Sequence, residues 1–167
     1  GKSLGKRPNG YISFMYDATG AISFGSENTI TVRVDHSQSA DSRWYSGSGI
    51  YRNVWVVYAN KIHISQWGVY ATPEKLKKGY QLNVEVEVSN ETATAAPLTV
   101  TNELFSADGI LVAKSSEKIT VNGTQTEKIV TALKVTNPQL WSLKTPSLYT
   151  LKTSVYQNGV LVDETTT

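Results

Sequence analysis

Apolar and polar residues alternate along most of this chain. Leu82, Val84, Val86 and Val88 are interleaved with Asn83, Glu85 and Glu87. Tyr149, Leu151, Thr153 and Val155 are interleaved with Thr150, Lys152 and Ser154. A period of two puts one set of side chains on each face of an extended strand, so both runs predict half-buried β-strands. Glycine turns punctuate the pattern. Asp108-Gly109, Asn122-Gly123 and Asn158-Gly159 each sit between β-forming stretches. Such pairs supply the positive φ angles of tight hairpins. No convincing amphipathic helix is present. Short strands joined by glycine turns predict an all-β fold, an antiparallel sandwich.

The pattern divides near residue 62. Residues 80–167 carry roughly seven strands, the number for an immunoglobulin-like sandwich. Without cysteine its core lacks the disulfide of antibody domains, and Trp141 is expected to help fill it. The first part reads differently. Strands near residues 12–16, 29–34 and 54–58 are too few to close a sandwich, and a small sheet has exposed edges and a poor core. Three strands alone would leave the apolar face of residues 1–62 poorly covered. Within them Trp55 lies in the apolar run Val54-Trp55-Val56-Val57-Tyr58 and is assigned to a core. Trp67 is expected to mark the seam between the two parts.

Composition narrows the possible roles. At 167 residues there is room for one medium domain or two small ones. A hydrophobic share of 40% against 18% charged residues fits a globular chain rather than a disordered one. The net charge of +2 gives no strong field toward nucleic acid, and Lys75, Lys77 and Lys78 read as a solvated turn. The longest apolar run is far too short to span a bilayer, so no membrane partner is expected. No signal peptide is visible at Gly1, and compartment stays open. Cysteine is absent, which excludes thiolate metal sites. His36 and His63 are the only histidines, too few and too far apart for a zinc site; they read as a loop and a strand residue. There is no Walker A loop and no dinucleotide fingerprint. No metal and no cofactor is expected.

One segment stands apart from these strand patterns. Asp41-Ser42-Arg43-Trp44-Tyr45-Ser46-Gly47-Ser48-Gly49-Ile50-Tyr51-Arg52-Asn53-Val54 brings together three aromatics, two arginines, an aspartate and two glycines. Arginine and aspartate can form ion pairs or meet a polar ligand, and aromatics can fill a core or stack on a sugar. Trp44 followed by Gly49-Ile50-Tyr51-Arg52 and Val54 resembles the signature that closes the N-terminal jelly-roll of glycoside hydrolase family 2. Three further stretches agree, in the family's order. Gly10-Tyr11-Ile12-Ser13-Phe14-Met15-Tyr16-Asp17-Ala18-Thr19 resembles its glycine-tyrosine stretch, with Asn9-Gly10 in place of a glycine pair. Glu27-Asn28-Thr29-Ile30-Thr31-Val32-Arg33-Val34-Asp35 resembles one of its strands. Asn137-Pro138-Gln139-Leu140-Trp141-Ser142 with Pro146-Ser147-Leu148-Tyr149 resembles a third motif, in which Leu143 replaces a proline.

The resemblance implies a fold and a role. Residues 1–62 would be the C-terminal part of a sugar-binding jelly-roll, and residues 63–167 an immunoglobulin-like sandwich. The parent would be a retaining glycosidase, with the 41–52 pattern most like β-galactosidases. Retaining glycosidases use two carboxylates about 5 Å apart. In the family these are glutamates on a (β/α)₈ barrel that follows the sandwich, and a barrel takes ~250 residues, so none is expected here. The chain's own glutamates lie mainly on strand faces or in turns; Glu85 and Glu87 share one polar face, as solvated strands do. No catalytic residue is therefore expected in this chain. A jelly-roll loop helps shape the family's sugar pocket, which implies substrate contacts from Asp41, Arg43 and Trp44. Ion pairing of Asp41 or Asp35 with Arg43 or Arg52 accounts for the same residues structurally. Arg52 reads as structural, a guanidinium gathering carbonyls at a strand entrance.

The implied partners are a carbohydrate, in the context of the parent, and the parent's other domains. The resemblance leaves room for a homo-oligomer and for a periplasmic or secreted enzyme. A reading from another class is a stand-alone carbohydrate-binding or adhesive sandwich, which the scattered aromatics would also serve.

Overall fold

The structure, a computed structural model, describes residues 1–37 and 47–167. It falls into two units, Gly1–Trp55 and Val56–Thr167. In the second unit seven strands run β1 (Ile62–Lys75), β2 (Tyr80–Asn90), β3 (Ala96–Phe105), β4 (Leu111–Val121), β5 (Gln125–Val135), β6 (Thr150–Gln157) and β7 (Val160–Thr166). They form two sheets, ordered β1-β2-β5 and β4-β3-β6-β7. Every pairing is antiparallel. The fold is all-β, an antiparallel sandwich of immunoglobulin-like strand number. The count needs one correction. Residues 80–167 supply six strands, and β1 is the seventh. A bulge in β1 hides its alternation.

The alternating residues of β2 face inward. Val84, Val86 and Val88 are 0% exposed. Val100 of β3, Val121 of β4, Leu133 of β5 and Val155 of β6 meet them in one core cluster. Full burial of each such side chain stabilises by about 1.5–3 kcal/mol. Trp141 is not among them. It sits on the connection between β5 and β6, 57% exposed, because branched aliphatics already fill the inter-sheet space. Tyr149 takes the anchoring role in that connection. Its ring packs against the core, and its hydroxyl accepts the Gln139 backbone N–H at 2.8 Å. A tyrosine that ties the chain back just before the sixth strand is the device of a tyrosine corner.

Two buried asparagines pin the sandwich. Asn102 donates to Thr131 Oγ1 at 3.0 Å and accepts from Thr153 Oγ1 at 2.7 Å, linking the two sheets through the core. Asn90 donates to the carbonyls of Thr94 and Val121 and accepts from the N–H and hydroxyl of Thr92. Its hydrogen-bonding capacity is filled, as burial requires.

The turns follow their glycines in two of three cases. Asn158 and Gly159 have φ of 51° and 81°, the pair of positive angles of a type I′ hairpin. Gly109, with φ of 74°, closes β3 onto β4. Asn122-Gly123 is not a hairpin, because β4 and β5 belong to different sheets. Gly123 is required for another reason: a Cβ there would strike the Ala93 backbone.

In the first unit no strand is formed among the described residues; Thr19–Ala21 make a single 3₁₀ turn. The strands expected near residues 12–16, 29–34 and 54–58 have no ladder partner here. Ile30, Val32 and Val34 are 55%, 54% and 48% exposed. Trp55, expected in a core, is 77% exposed for the same reason: its segment pairs with no strand among the described residues. Local side-chain bonds give this unit its order. The Asn28 amide accepts the Ser23 N–H and donates to the carbonyls of Ser23 and Ser26. Asp17 accepts the Thr19 N–H at 2.8 Å, and the rings of Phe14 and Tyr16 lie 5.5 Å apart.

Candidate functional site

Asp41, Arg43 and Trp44 lie outside the described residues. Their flanks are described. Asp35 is paired with Arg33 at 3.2 Å and accepts the Ser37 hydroxyl at 2.6 Å and the Ser37 N–H at 3.2 Å. The Ser37 hydrogen bonds, more than Arg33, hold the Asp35 carboxyl below its ordinary pKa. On the other flank, Arg52 sits 5.7 Å from the Tyr51 ring centroid, a cation–π contact. This corrects its expected role as a gatherer of carbonyls: the neighbouring ring holds the guanidinium instead.

Glu85, Glu87, Glu103 and Glu164 lie on outward strand faces. Lys128 bridges Glu85 at 2.9 Å and Glu87 at 3.5 Å. On the other sheet Lys114 meets Glu103 at 2.8 Å and Lys152 meets Glu164 at 2.9 Å. Each of these lysines is held above its ordinary pKa by the hydrogen bond to its glutamate, Glu85 for Lys128, Glu103 for Lys114 and Glu164 for Lys152. Partly exposed, lysine-bridged carboxylates of this kind stabilise a strand face. His63 is a β1 residue whose Nδ1–H donates to the Asn60 carbonyl at 2.9 Å. Among the described residues no group of three acidic or histidine side chains could hold a metal.

The most unusual backbone of the sandwich is in β1. Between Ile64 and Val69 the register with β2 jumps: Ile64 faces Val88 and Val69 faces Val86. Residues 65–68 thus oppose Glu87 alone, a large β-bulge. Trp67 has φ of 56°, a left-handed conformation that an indole-bearing residue seldom adopts. Gly68 makes the bulge possible, since a Cβ would lie 2.6 Å from the Ser65 carbonyl. Trp67 is left 68% exposed. Ser65 begins a row of hydroxyls that crosses the sheet: Ser65 Oγ to Ser89 Oγ at 2.8 Å, then Ser89 Oγ to Thr126 Oγ1 at 2.8 Å. A shallow groove of about 290 Å³ adjoins the row, lined in part by Ser89, Glu91, Gln125 and Thr126. Sequence reasoning missed this arrangement. The signal was Trp67-Gly68 interrupting an apolar alternation, which a regular strand does not tolerate.

A family model described as Glycosyl hydrolases family 2 matches residues 62–167. A β-galactosidase of Bacteroides ovatus is 41% identical over all of this chain, which covers 20% of its length. A β-glucuronidase of Formosa agariphila is 28% identical over 98% of the chain, which covers 19% of it. In structure, a β-glycosidase from Bacteroides vulgatus matches 98% of the chain with a TM-score of 0.77 at 28% identity, and the match covers 20% of that protein. The chain thus spans about a fifth of the length of these relatives.

Proposed function

The chain belongs to glycosyl hydrolases family 2, and on that premise we propose that it is a non-catalytic scaffold region of a retaining β-glycosidase acting on terminal β-linked galactose. In this reading residues 1–62 are the end of a sugar-binding jelly-roll and residues 63–167 its immunoglobulin-like neighbour. Asp41, Arg43 and Trp44 contact the sugar from a loop of the jelly-roll. The acid/base and the nucleophile belong to a barrel elsewhere in the parent, which hydrolyses its substrate by double displacement through a glycosyl-enzyme intermediate.

The observation that carries this reading is the pairing of extent with identity. A β-galactosidase matches the whole chain at 41% identity, yet the chain covers 20% of it. The lysine-bridged glutamates of the sandwich suit a scaffold. The uncovered apolar residues of the first unit suit a domain completed by other strands.

The test is hydrolysis of aryl β-galactoside, β-glucuronide, β-mannoside and β-glucoside by two chains side by side. One is this chain. The other carries the full jelly-roll and ~300 following residues, enough for a barrel. Turnover by the longer chain alone is expected, fastest on the galactoside. Turnover by the short chain would overturn the scaffold role. Preference for the glucuronide would keep the scaffold and change the sugar.

A further inference from the structure

We infer that the core of the sandwich binds one internal water molecule where β3, β4 and β5 meet, held by Asn102, Ser115 and Thr131. The inference concerns the sandwich alone and is independent of the sugar and of residues 1–62. It starts from the ladders. Asn102, 0% exposed, lies opposite Ser115 of β4 on one side and Thr153 of β6 on the other. Residues directly opposite in an antiparallel ladder share a face, so all three project between the sheets. Thr131 of β5 meets them from the other sheet and accepts from Asn102 Nδ2 at 3.0 Å. β5 packs against β4 across the gap, which puts Thr131 and Ser115 on the same flank of Asn102. Apolar residues enclose this polar layer. Val100 and Leu104 flank Asn102 along β3, Leu151 and Val155 flank Thr153 along β6, and all four are at most 5% exposed.

The hydrogen bonds inside the layer do not close. Asn102 has two amide protons and uses one, on Thr131, while its Oδ1 accepts the Thr153 hydroxyl at 2.7 Å. Thr131 Oγ1 accepts from Asn102, and its own proton has no acceptor among the described residues. Ser115 Oγ is sealed from solvent and has no partner among the described residues. One amide proton, one hydroxyl proton and one whole hydroxyl are therefore unused in a single buried layer, where each carries a desolvation penalty. One water satisfies all three. It accepts from Asn102 Nδ2 and from Thr131 Oγ1, and donates to Ser115 Oγ. Three bonds to otherwise unpaired groups is the usual environment of a buried water. The small side chains are in the right place as well: β4 brings Ala113 and Ser115 to this level, where Ile119 and Val121 stand further along the strand.

The water extends the Asn102 pin to a fourth strand. β4 is an outer strand, and its middle reads Ser115-Ser116-Glu117-Lys118, without a large apolar side chain. Ala113, Ile119 and Val121 attach its two ends to the core. The bridged Ser115 hydroxyl anchors the stretch between them to both sheets at once.

The experiment counts long-lived internal waters in the 167-residue chain by magnetic relaxation dispersion of the water oxygen, which exchanging hydroxyl protons do not disturb. Ser115→Ala is expected to lower the count by one and the melting temperature by roughly 2–6 °C, since it deletes a satisfied hydroxyl. Ser115→Thr keeps the hydroxyl and should retain the water. Thr131→Val should lose it as Ser115→Ala does. An unchanged count in Ser115→Ala overturns the inference. So does an unchanged or higher melting temperature in that variant, because removing a hydroxyl that truly lacks a partner relieves a cost instead of adding one.

Discussion

The two units use the same written pattern with opposite results. Ile30, Val32 and Val34 alternate with polar residues just as Val84, Val86 and Val88 do. The first three are about half exposed, and the second three are sealed at 0%. Alternation therefore states what a segment can bury, and the presence of partner strands decides whether it does. β2 has β1 on one side and β5 on the other, and a second sheet across its face. Residues 29–34 have no ladder partner among the described residues, so the same side chains remain in water.

The largest test of this contrast is in the core. Leu133→Ala should cost about 2–5 kcal/mol in chemical denaturation, as a buried leucine truncated in a packed core does. Val32→Ala should stay within about 0.5 kcal/mol in the same chain. Equal losses would break the comparison and show that the first unit buries its apolar face.

A second pair contrasts two asparagines. Asn102→Leu removes the partner of two buried threonine hydroxyls, and leaving a buried polar group unpaired costs about 1–3 kcal/mol. Asn28→Ala removes three hydrogen bonds that water can replace. It should cost under about 1 kcal/mol despite the larger number of bonds. Thermal unfolding read by circular dichroism distinguishes the two.

A third pair concerns tyrosines. Tyr149→Phe deletes the acceptor for Gln139 N–H and should cost about 0.5–1.5 kcal/mol while loosening the β5–β6 connection, visible as faster amide exchange there. Tyr51→Phe deletes an exposed bond of 3.4 Å to the Gly10 carbonyl and should leave the melting temperature unchanged.

The smallest effect is electrostatic. Lys114, Lys128 and Lys152 have folded pKa values raised above 10.5. Their stabilisation is complete below 10.5 and is lost as pH rises through the raised values. Asp17 and Asp35 run the other way. The Thr19 and Ser37 hydrogen bonds lower their pKa below 3.8, so their contribution is full above 3.8 and disappears as pH falls through the lowered values. Alkaline titration should therefore weaken the sandwich faces, and acid should loosen the loops of the first unit. Amide exchange resolved by residue would reveal a reversal.

Much of the sandwich was legible in the sequence, because β2 and β6 carry an uninterrupted period of two. The seventh strand was not. Residues 65–68 break the alternation of β1, and a bulge of that size depends on a carbonyl approach that only the folded sheet displays. Trp141 was misplaced because its size suggests burial, whereas its neighbours hold it on a connection outside the two sheets. Gly123 was read as a hairpin glycine, although its role is to admit the backbone at Ala93. The site residues Asp41, Arg43 and Trp44 rest on resemblance to a family pattern, and the described residues do not include them. Nothing in periodicity could have indicated the hydroxyl row, because serine and threonine on a strand face look the same whether or not they are aligned across three strands.

The carboxylate of Asp163 has a consequence for how this molecule behaves among its own copies. β1 is an outer strand of its sheet, and such strands invite pairing by any extended chain that drifts past. Here Asp163 Oδ2 accepts the Ile64 N–H at 2.7 Å, and the bulge that follows turns the next four residues out of register. A passing strand would have to displace a charge and then match an irregular backbone. Over residues 64–68 the edge is in this way guarded against sheet extension.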